Sequence, residues 1–207
     1  MHLRSDSFRP YDRLSASLAF GKHDPDTHFT FAGNRNPHLA WADVPEGTQS
    51  FALICVDHDV PSVGDDVNQE GKTVPVDLPR APFYHWVLVD LPADLREIAE
   101  GSHSEGVVAK GKGPGASPDG GLVGLNNYTD WFDGDPDMGG KYHGYDGPAP
   151  PWNDERMHGY RFQLFALDVP SLGLSGSFTG PDVLDAIEAH TLAKAELIGL
   201  YAINPAV

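Results

Sequence analysis

Nine consecutive residues of the chain read Phe83-Tyr-His-Trp-Val-Leu-Val-Asp-Leu91, and their aromatic and β-branched side chains predict a β-strand. A second run, Phe51-Ala-Leu-Ile-Cys-Val56, has the continuous hydrophobicity of a strand that is buried on both faces. Two further segments, His158–Leu167 and Ala193–Gly199, alternate apolar and polar residues with a period of two. A short fifth strand is predicted at Thr27–Thr30. The chain is therefore predicted to be mainly β.

Few helices are predicted beside these strands. The segment Thr179–Ala189 has Pro181 in the first turn and Asp182 at the positive helix end, which are both helix-start signals. A weaker helix is predicted at Asp94–Ala99. The 23 glycines and 18 prolines are about a fifth of the 207 residues, against a usual share near 12%, and indicate many turns. We expect one domain, residues 1–207, with helices at its periphery.

The charge balance excludes several classes of partner. The chain has 14 basic and 30 acidic residues, a formal net charge of −16, so phosphate backbones and anionic lipid surfaces repel it. We therefore expect neither nucleic-acid binding nor membrane insertion. No run reaches the roughly 18 apolar residues of a membrane span, and the first residues lack the apolar core of a secretory signal, which predicts a cytoplasmic protein. The one cysteine, Cys55, is expected to be a buried apolar residue.

Two long polar segments, 62–82 and 101–157, separate the strands, and loops of this length are usually functional or disordered. Tryptophans and tyrosines in the second segment, including Tyr128 and Trp131, favour a packed loop. The sequence contains no G-x-S-x-G, no P-loop and no H-E-x-x-H. The usual signatures of hydrolases, nucleotide-binding proteins and zinc proteases are therefore missing.

Titratable residues lie at the ends of the predicted strands. Asp57 and Asp59 follow the Phe51 run, His85 interrupts the run Phe83–Val89, and His158 and Tyr160 open the fourth strand. Taken singly, each has an ordinary explanation as a turn residue or a satisfied core residue. Because buried imidazoles and carboxylates need partners, their convergence would instead form a pocket for an oxyanion or a divalent metal.

Four blocks of sequence, in order, resemble the phosphatidylethanolamine-binding protein family, in particular its bacterial Raf-kinase-inhibitor-like branch. The resemblance covers about residues 29–203. The blocks are Asn36-Pro-His-Leu-Ala-Trp41 through Val44-Pro-Glu-Gly-Thr-Gln-Ser50, then Asp57-His-Asp-Val-Pro61, then Tyr84-His-Trp-Val-Leu88, and last Gly144-Tyr-Asp-Gly-Pro-Ala-Pro-Pro151 with His158-Gly-Tyr160 and Phe165-Ala-Leu-Asp168.

The resemblance implies a large central antiparallel sheet, a smaller sheet packed on it, and a few helices. It also implies an anion-binding pocket. The groups expected to bind the ligand are Asp57, Asp59, His85, His158 and Tyr160, and the expected walls are Pro61, Trp86, Pro150 and Pro151.

The chain departs from the family pattern at several positions. His58 replaces a proline and Gly159 replaces an arginine, and segments 62–82 and 129–141 are longer than in the compact bacterial pattern. These departures leave the titrating groups in place but bear on ligand size and partner surfaces. The resemblance further implies cis peptide bonds at Ala81-Pro82 and Asp57-His58. With His58 in place of proline, the second bond either relaxes to trans and displaces Asp57 or is held cis, and we favour cis.

The sequence leaves three functional readings open. The leading one is a binding protein for a small anion or a phosphate-bearing headgroup, with a kinase or protease as a further partner, no cofactor, and a homodimer by analogy. The second is an enzyme that uses His85 or His158 as a general base against Asp57. The third is a metal-binding protein through His58, Asp59 and His85.

Overall fold

The computed structural model describes all 207 residues and confirms a mainly β architecture. Its two helices are α1 (Tyr128–Trp131) and α2 (Gly180–Ile187). Its strands are β1 (His2–Arg4), β2 (Gly21–Lys22), β3 (Thr30–Phe31), β4 (Leu39–Ala42), β5 (Ser50–Pro61), β6 (Arg80–Pro92), β7 (Glu97–Ile98), β8 (Leu122–Val123), β9 (His158–Leu167) and β10 (Thr191–Tyr201).

The largest sheet has five antiparallel strands in the order β10-β9-β5-β6-β8. Strand β5 lies at its centre and pairs with β9 on one side and β6 on the other. This position explains the continuous apolar run in β5, because both faces of a central strand are covered. A three-stranded sheet (β1-β4-β7) and a two-stranded sheet (β2-β3) complete the fold, as the family resemblance implied.

Apolar side chains cover both faces of the five-stranded sheet. On one face, Leu53 and Phe162 join a cluster with Leu39 and Trp41 of the three-stranded sheet. On the other face, Val87 belongs to a second cluster that includes residues of α2. Each fully buried side chain of this size contributes about 1.5–3 kcal/mol, so the two clusters fix the sheet from both sides. Cys55 is buried in the first cluster, as predicted.

The predicted helix at Thr179–Ala189 is confirmed as α2. Thr179 and Asp182 form its capping box, in which each side chain accepts a hydrogen bond at the helix start. The predicted helix at Asp94–Ala99 is wrong, because that segment makes a turn and then strand β7, where Ile98 pairs with Leu39. Core burial of Ile98 outweighs a weak helical preference.

The strand predicted at Thr27–Thr30 is mostly wrong, since only Thr30 and Phe31 are extended and paired. His28 takes a positive φ of 64°, which interrupts an extended strand just before that point. No helix of the molecule combines the length and the apolar character that crossing a bilayer demands.

The expected cis bonds at Ala81-Pro82 and Asp57-His58 are also wrong, because every peptide bond of the chain is trans. Both bonds lie within the β5–β6 ladder, where Val60 pairs with Ala81 and Asp57 pairs with Phe83. Asp57 nevertheless keeps its position beside His158, so the trans bond does not displace it.

Candidate functional site

A β-bulge brings His85 to the site. The β5–β6 register pairs Cys55 with Trp86 and then Val56 with Tyr84, which leaves His85 as an extra residue without a partner on β5. Bulges of this kind redirect a side chain and are common beside functional sites. The His85 side chain reaches into a cavity at this end of the sheet.

The cavity has a volume of about 290 Å³ and is walled mainly by apolar side chains. One part of the wall comes from the sheet and from residues 144–151, which we call the proline loop. Other parts come from the long segments 62–82 and 129–141. The lining residues include Phe20, Phe29, Phe31, Asp57, Val60, Pro61, Val63, Val67, Phe83, His85, Tyr128, Trp131, Phe132, Pro150, Pro151 and Tyr160.

Three polar side chains, Asp57, His85 and Tyr160, form what we call the deep end of the cavity, and all three are almost fully buried. His85 Nδ1 lies 2.8 Å from the backbone oxygen of Asp146, so Nδ1 carries a hydrogen and donates it. His85 Nε2 is buried and has no hydrogen-bond partner in the protein. In the neutral ring this atom is an acceptor available to a ligand.

Burial lowers the pKa of His85 and outweighs the opposing effect of the Asp57 carboxylate, so the ring is neutral near pH 7. Burial, assisted by Asp57, raises the pKa of the Tyr160 hydroxyl well above its usual value. Tyr160 therefore keeps its proton. The deep end thus offers one carboxylate, one bare imidazole nitrogen and one hydroxyl.

His158 lies behind Asp57 and is fully buried. Its Nδ1 is 2.7 Å from Asp57 Oδ2 and its Nε2 is 3.0 Å from Asp154 Oδ2, so both ring nitrogens donate to carboxylates. Burial alone would lower the pKa of His158, but the hydrogen bonds to Asp154 and Asp57 outweigh it and raise the pKa to about 9. His158 is an imidazolium at neutral pH, with both donors occupied.

The chain of buried charges continues beyond His158. Arg80 forms a two-point ion pair with Asp154, with Nη2 of the arginine 3.1 Å from Oδ1 of the carboxylate. Burial would raise the pKa of Asp154, yet the hydrogen bonds from His158 and Arg80 hold it below its usual range. Asp57, His158, Asp154 and Arg80 therefore form a neutral row of two anions and two cations.

Asp59 is occupied elsewhere. Its carboxylate accepts a hydrogen bond from the backbone N–H of Gly159 at 2.9 Å and pairs with Arg156 at 2.8 Å. Through the hydrogen bond to Gly159, Asp59 connects the end of β5 to the start of β9. Asp59 supports the site from outside the cavity.

The structure brings together six of the nine predicted site residues as cavity walls, namely Asp57, Pro61, His85, Pro150, Pro151 and Tyr160. His158 is behind the wall and Asp59 is outside it, and both contact their neighbours rather than the cavity. The prediction that Trp86 forms a wall is wrong. Trp86 is fully buried in the core against Tyr145 and His103, because the bulge gives the cavity position to His85.

The three residues of the metal reading do not come together. His58 is exposed, Asp59 pairs with Arg156, and His85 lies inside the cavity. The chain has no group of three or more His, Cys, Asp or Glu side chains arranged to hold a metal ion.

Asp146 holds the deep end in place and was not predicted. Its buried carboxylate accepts hydrogen bonds from Asn34, Asn126 and Lys112 at 2.7–2.9 Å, while its backbone oxygen binds His85. In the sequence, Asp146 lies within the Gly144–Pro151 block that resembles the family. Nothing in the local pattern indicates that three distant side chains converge on it.

Sequence reasoning also missed most of the apolar lining. Seven rings, which we call the aromatic wall, surround the cavity: Phe20, Phe29, Phe31, Phe83, Tyr128, Trp131 and Phe132. The density of aromatic residues in segment 101–157 was one usable signal, since Tyr128 and Trp131 belong to that segment. No sequence pattern indicated that Phe20, Phe29 and Phe31 line the cavity.

A β-rich domain with one apolar cavity that ends in a few convergent polar groups is a ligand-binding domain. The sequence profile of the phosphatidylethanolamine-binding protein family matches residues 5–202. The chain belongs to this family, and ligand binding is its general property.

Relatives from distant organisms agree with this assignment. The UPF0098 protein YbhB of Escherichia coli (strain K12) is 32% identical over 202 residues, which cover 98% of this chain and all of YbhB. A UPF0098 protein of Aquifex aeolicus is 34% identical over 191 residues, covering 91% of this chain and 86% of the relative.

Two crystal structures share the fold. E. coli YbcL, described as a new member of the mammalian PEBP family, superimposes with a TM-score of 0.69 and 24% identity over 98% of both chains. The PEBP homolog CT736 of Chlamydia trachomatis gives a TM-score of 0.61, with 24% identity over 97% of this chain and 95% of CT736. This chain therefore has the same overall fold as these two proteins.

Proposed function

We propose that this protein binds a small molecule through a phosphate-type head that enters the deep end of the cavity. The observation that carries the proposal is the unpartnered Nε2 of His85, a buried polar atom on a side chain that lines the cavity. A buried acceptor without a partner costs roughly 1–3 kcal/mol, and a ligand that donates a hydrogen bond to it recovers that cost.

The charges around the deep end specify the protonation state of the head. The groups that act on His85 are Asp57 from β5, Asp146 from the proline loop and His158 from β9. His158, Arg80 and Arg156 are already paired with carboxylates, so the cavity has no free cation for a dianion. A monoanion that retains one proton fits better, because its O–H can donate to His85 Nε2 while the Tyr160 hydroxyl donates to another of its oxygens.

We propose binding rather than turnover as the role of the site. Asp57 and His158 are held by each other and by further protein groups, and His85 Nδ1 is held by Asp146. Catalysis by a nucleophile needs a hydroxyl or thiol activated by a neighbouring base, and the one thiol, Cys55, is buried in the core.

Methyl phosphate, the smallest phosphate monoester, tests the head-binding proposal in an NMR titration. Phosphate monoesters lose their second proton near pH ~6, so affinity should be roughly 10- to 50-fold higher at pH 6 than at pH 8. His85→Ala should lower the affinity at pH 6 by at least about 10-fold, as expected for a hydrogen bond to a charged group.

Two further variants separate the head contacts from general effects. Tyr160→Phe removes only a hydroxyl and should cause a smaller loss than His85→Ala. His190→Ala changes a half-exposed histidine that pairs with Asp168 outside the cavity, and this variant should bind like the wild type. Binding of methyl phosphate that is unchanged by pH and by His85→Ala would contradict the proposal.

A further inference from the structure

The apolar part of the cavity is much larger than a phosphate head requires. The aromatic wall contributes seven rings, whereas the rest of the apolar lining is limited to Val60, Val63, Val67, one alanine, three prolines and one glycine. A site for an inorganic anion alone would have no use for this surface. A ligand of this cavity should therefore contact both the aromatic wall and the deep end.

The rings of the wall are fixed by one another. Phe20 stacks on Tyr128 with centroids 4.4 Å apart, and Phe83 meets the same tyrosine edge-on at 5.1 Å. Phe31 packs edge-on against both Phe20 and Phe29, at 5.5 Å and 5.6 Å. Ring pairs in these geometries are favourable, so the wall is a rigid surface that offers ring faces and ring edges.

The wall is also incomplete. Phe31, Val63 and Trp131 line the mouth of the cavity, and 48%, 51% and 51% of their surfaces are exposed. We call these three residues the rim. Segments 62–82 and 129–141 supply Val63 and Trp131. These two segments thus extend an apolar surface from the deep end to solvent.

We infer that the natural ligand carries a single aromatic ring close to its phosphate-type head, held by the aromatic wall and covered by the rim. The inference rests on the proposed function, because the head at the deep end places the ring against the wall. A volume of about 290 Å³ lies at the low end of the roughly 300–1,000 Å³ range of small-molecule sites. One ring and one head fill such a space, whereas the two chains of a diacyl lipid exceed it.

The inference is tested by comparing methyl, hexyl and phenyl phosphate at pH 6 in the same NMR titration. Hexyl and phenyl phosphate have equal numbers of carbon atoms and differ in shape. We expect phenyl phosphate to bind at least about 10-fold more tightly than methyl phosphate, from the apolar area that it buries. It should also bind about 3-fold more tightly than hexyl phosphate, from ring–ring contacts and from its rigidity.

Variants of exposed residues show whether the rim is responsible. Trp131→Ala and Phe31→Ala should each lower the ratio of phenyl to methyl phosphate affinity by about 3- to 5-fold. Tyr11→Ala removes an aromatic side chain that is 66% exposed and lies outside the cavity, and it should leave this ratio unchanged. Because all three side chains are well exposed, folding is retained and the ratio can be measured.

The possible outcomes distinguish this inference from the proposed function. Equal affinities for methyl and phenyl phosphate would overturn the aromatic ligand and leave head binding intact. Tighter binding of hexyl phosphate, or sedimentation with phosphatidylethanolamine vesicles that phenyl phosphate abolishes, would assign the wall to aliphatic chains and also overturn it. Binding of benzyl alcohol without binding of any phosphate would support the ring and contradict the head.

Discussion

The deep end and the rim of the cavity are opposite in character. At the deep end, Asp57 is bound to His158, which is bound to Asp154 in turn, and these three side chains are almost fully buried. At the rim, Phe31 and Trp131 expose about half of their surfaces. In the first region the charged groups are paired within the protein and His85 Nε2 is left without a partner, whereas the second region leaves apolar area available.

This difference separates what holds the fold from what selects the ligand. Removing one partner of a buried ion pair leaves a charge without compensation, which is among the most costly changes in a protein. Removing an exposed ring costs the fold little. Changes in the buried ion pairs behind the deep end should therefore affect stability first, the change at His85 should affect affinity, and changes at the rim should affect only ligand preference.

The largest effect is expected for His158→Ala. The substitution leaves Asp57 and Asp154 facing each other in a buried space, and we expect a loss of about 3–5 kcal/mol in the free energy of unfolding. Urea denaturation monitored by circular dichroism measures it. The control is His190→Ala, since His190 pairs with Asp168 on the surface and should contribute less than about 1 kcal/mol. Equal losses for the two variants would show that the buried row is not stabilising.

The charge on His158 should also make the free energy of unfolding depend on pH. The pKa of His158 is raised to about 9 in the folded protein, above its ordinary value of 6.5. Its stabilising contribution is therefore complete below about pH 6.5 and is lost as pH rises to 9. The wild type should lose up to about 3 kcal/mol more than His158→Ala between pH 6.5 and pH 9, by urea denaturation at each pH. Parallel curves for the two proteins would contradict the imidazolium.

His85→Ala should have the next largest effect, on affinity instead of stability. We expect a loss of about 1.5–3 kcal/mol in the binding free energy of phenyl phosphate at pH 6, the usual worth of a hydrogen bond to a charged group. Isothermal calorimetry gives this value. A His85→Ala variant with unchanged affinity would place the phosphate head outside the deep end.

Trp131→Ala should have the smallest effect on the fold. Because the side chain is half-exposed, the free energy of unfolding should change by no more than about 0.5 kcal/mol in urea. A loss above about 2 kcal/mol would mean that Trp131 belongs to the folded core. The rim would then not be an open surface for ligands.

The parts of the fold with regular patterns were predictable from the sequence. The continuous apolar run in β5 and the alternation in β9 depend on local periodicity, which is visible in a single chain. The segment Asp94–Ala99 was not predictable, because its weak helical preference gives way to the burial of Ile98 against β4. Pairing with a distant strand leaves no local signal.

In the site too, residues with a local sequence signal were predictable, and residues placed by distant contacts were not. Asp57, His85 and Tyr160 could be found because titratable residues in apolar strands are unusual and need partners. The wrong assignment of Trp86 came from a bulge, since one extra residue on β6 changes which neighbour faces the cavity. Asp154 and Asp146 lie in irregular loops, and their roles depend on contacts with Arg80 and Lys112 that only the folded chain creates.

Binding of the head as a monoanion is tested most directly by the number of protons taken up when phenyl phosphate binds at pH 8. Calorimetry in buffers of different ionisation enthalpy measures this number. A head that binds as a monoanion against a neutral His85 must gain its proton from solvent at this pH, so we predict uptake of about one proton per ligand. Binding without proton uptake, at an affinity equal to that at pH 6, would contradict the account of the deep end.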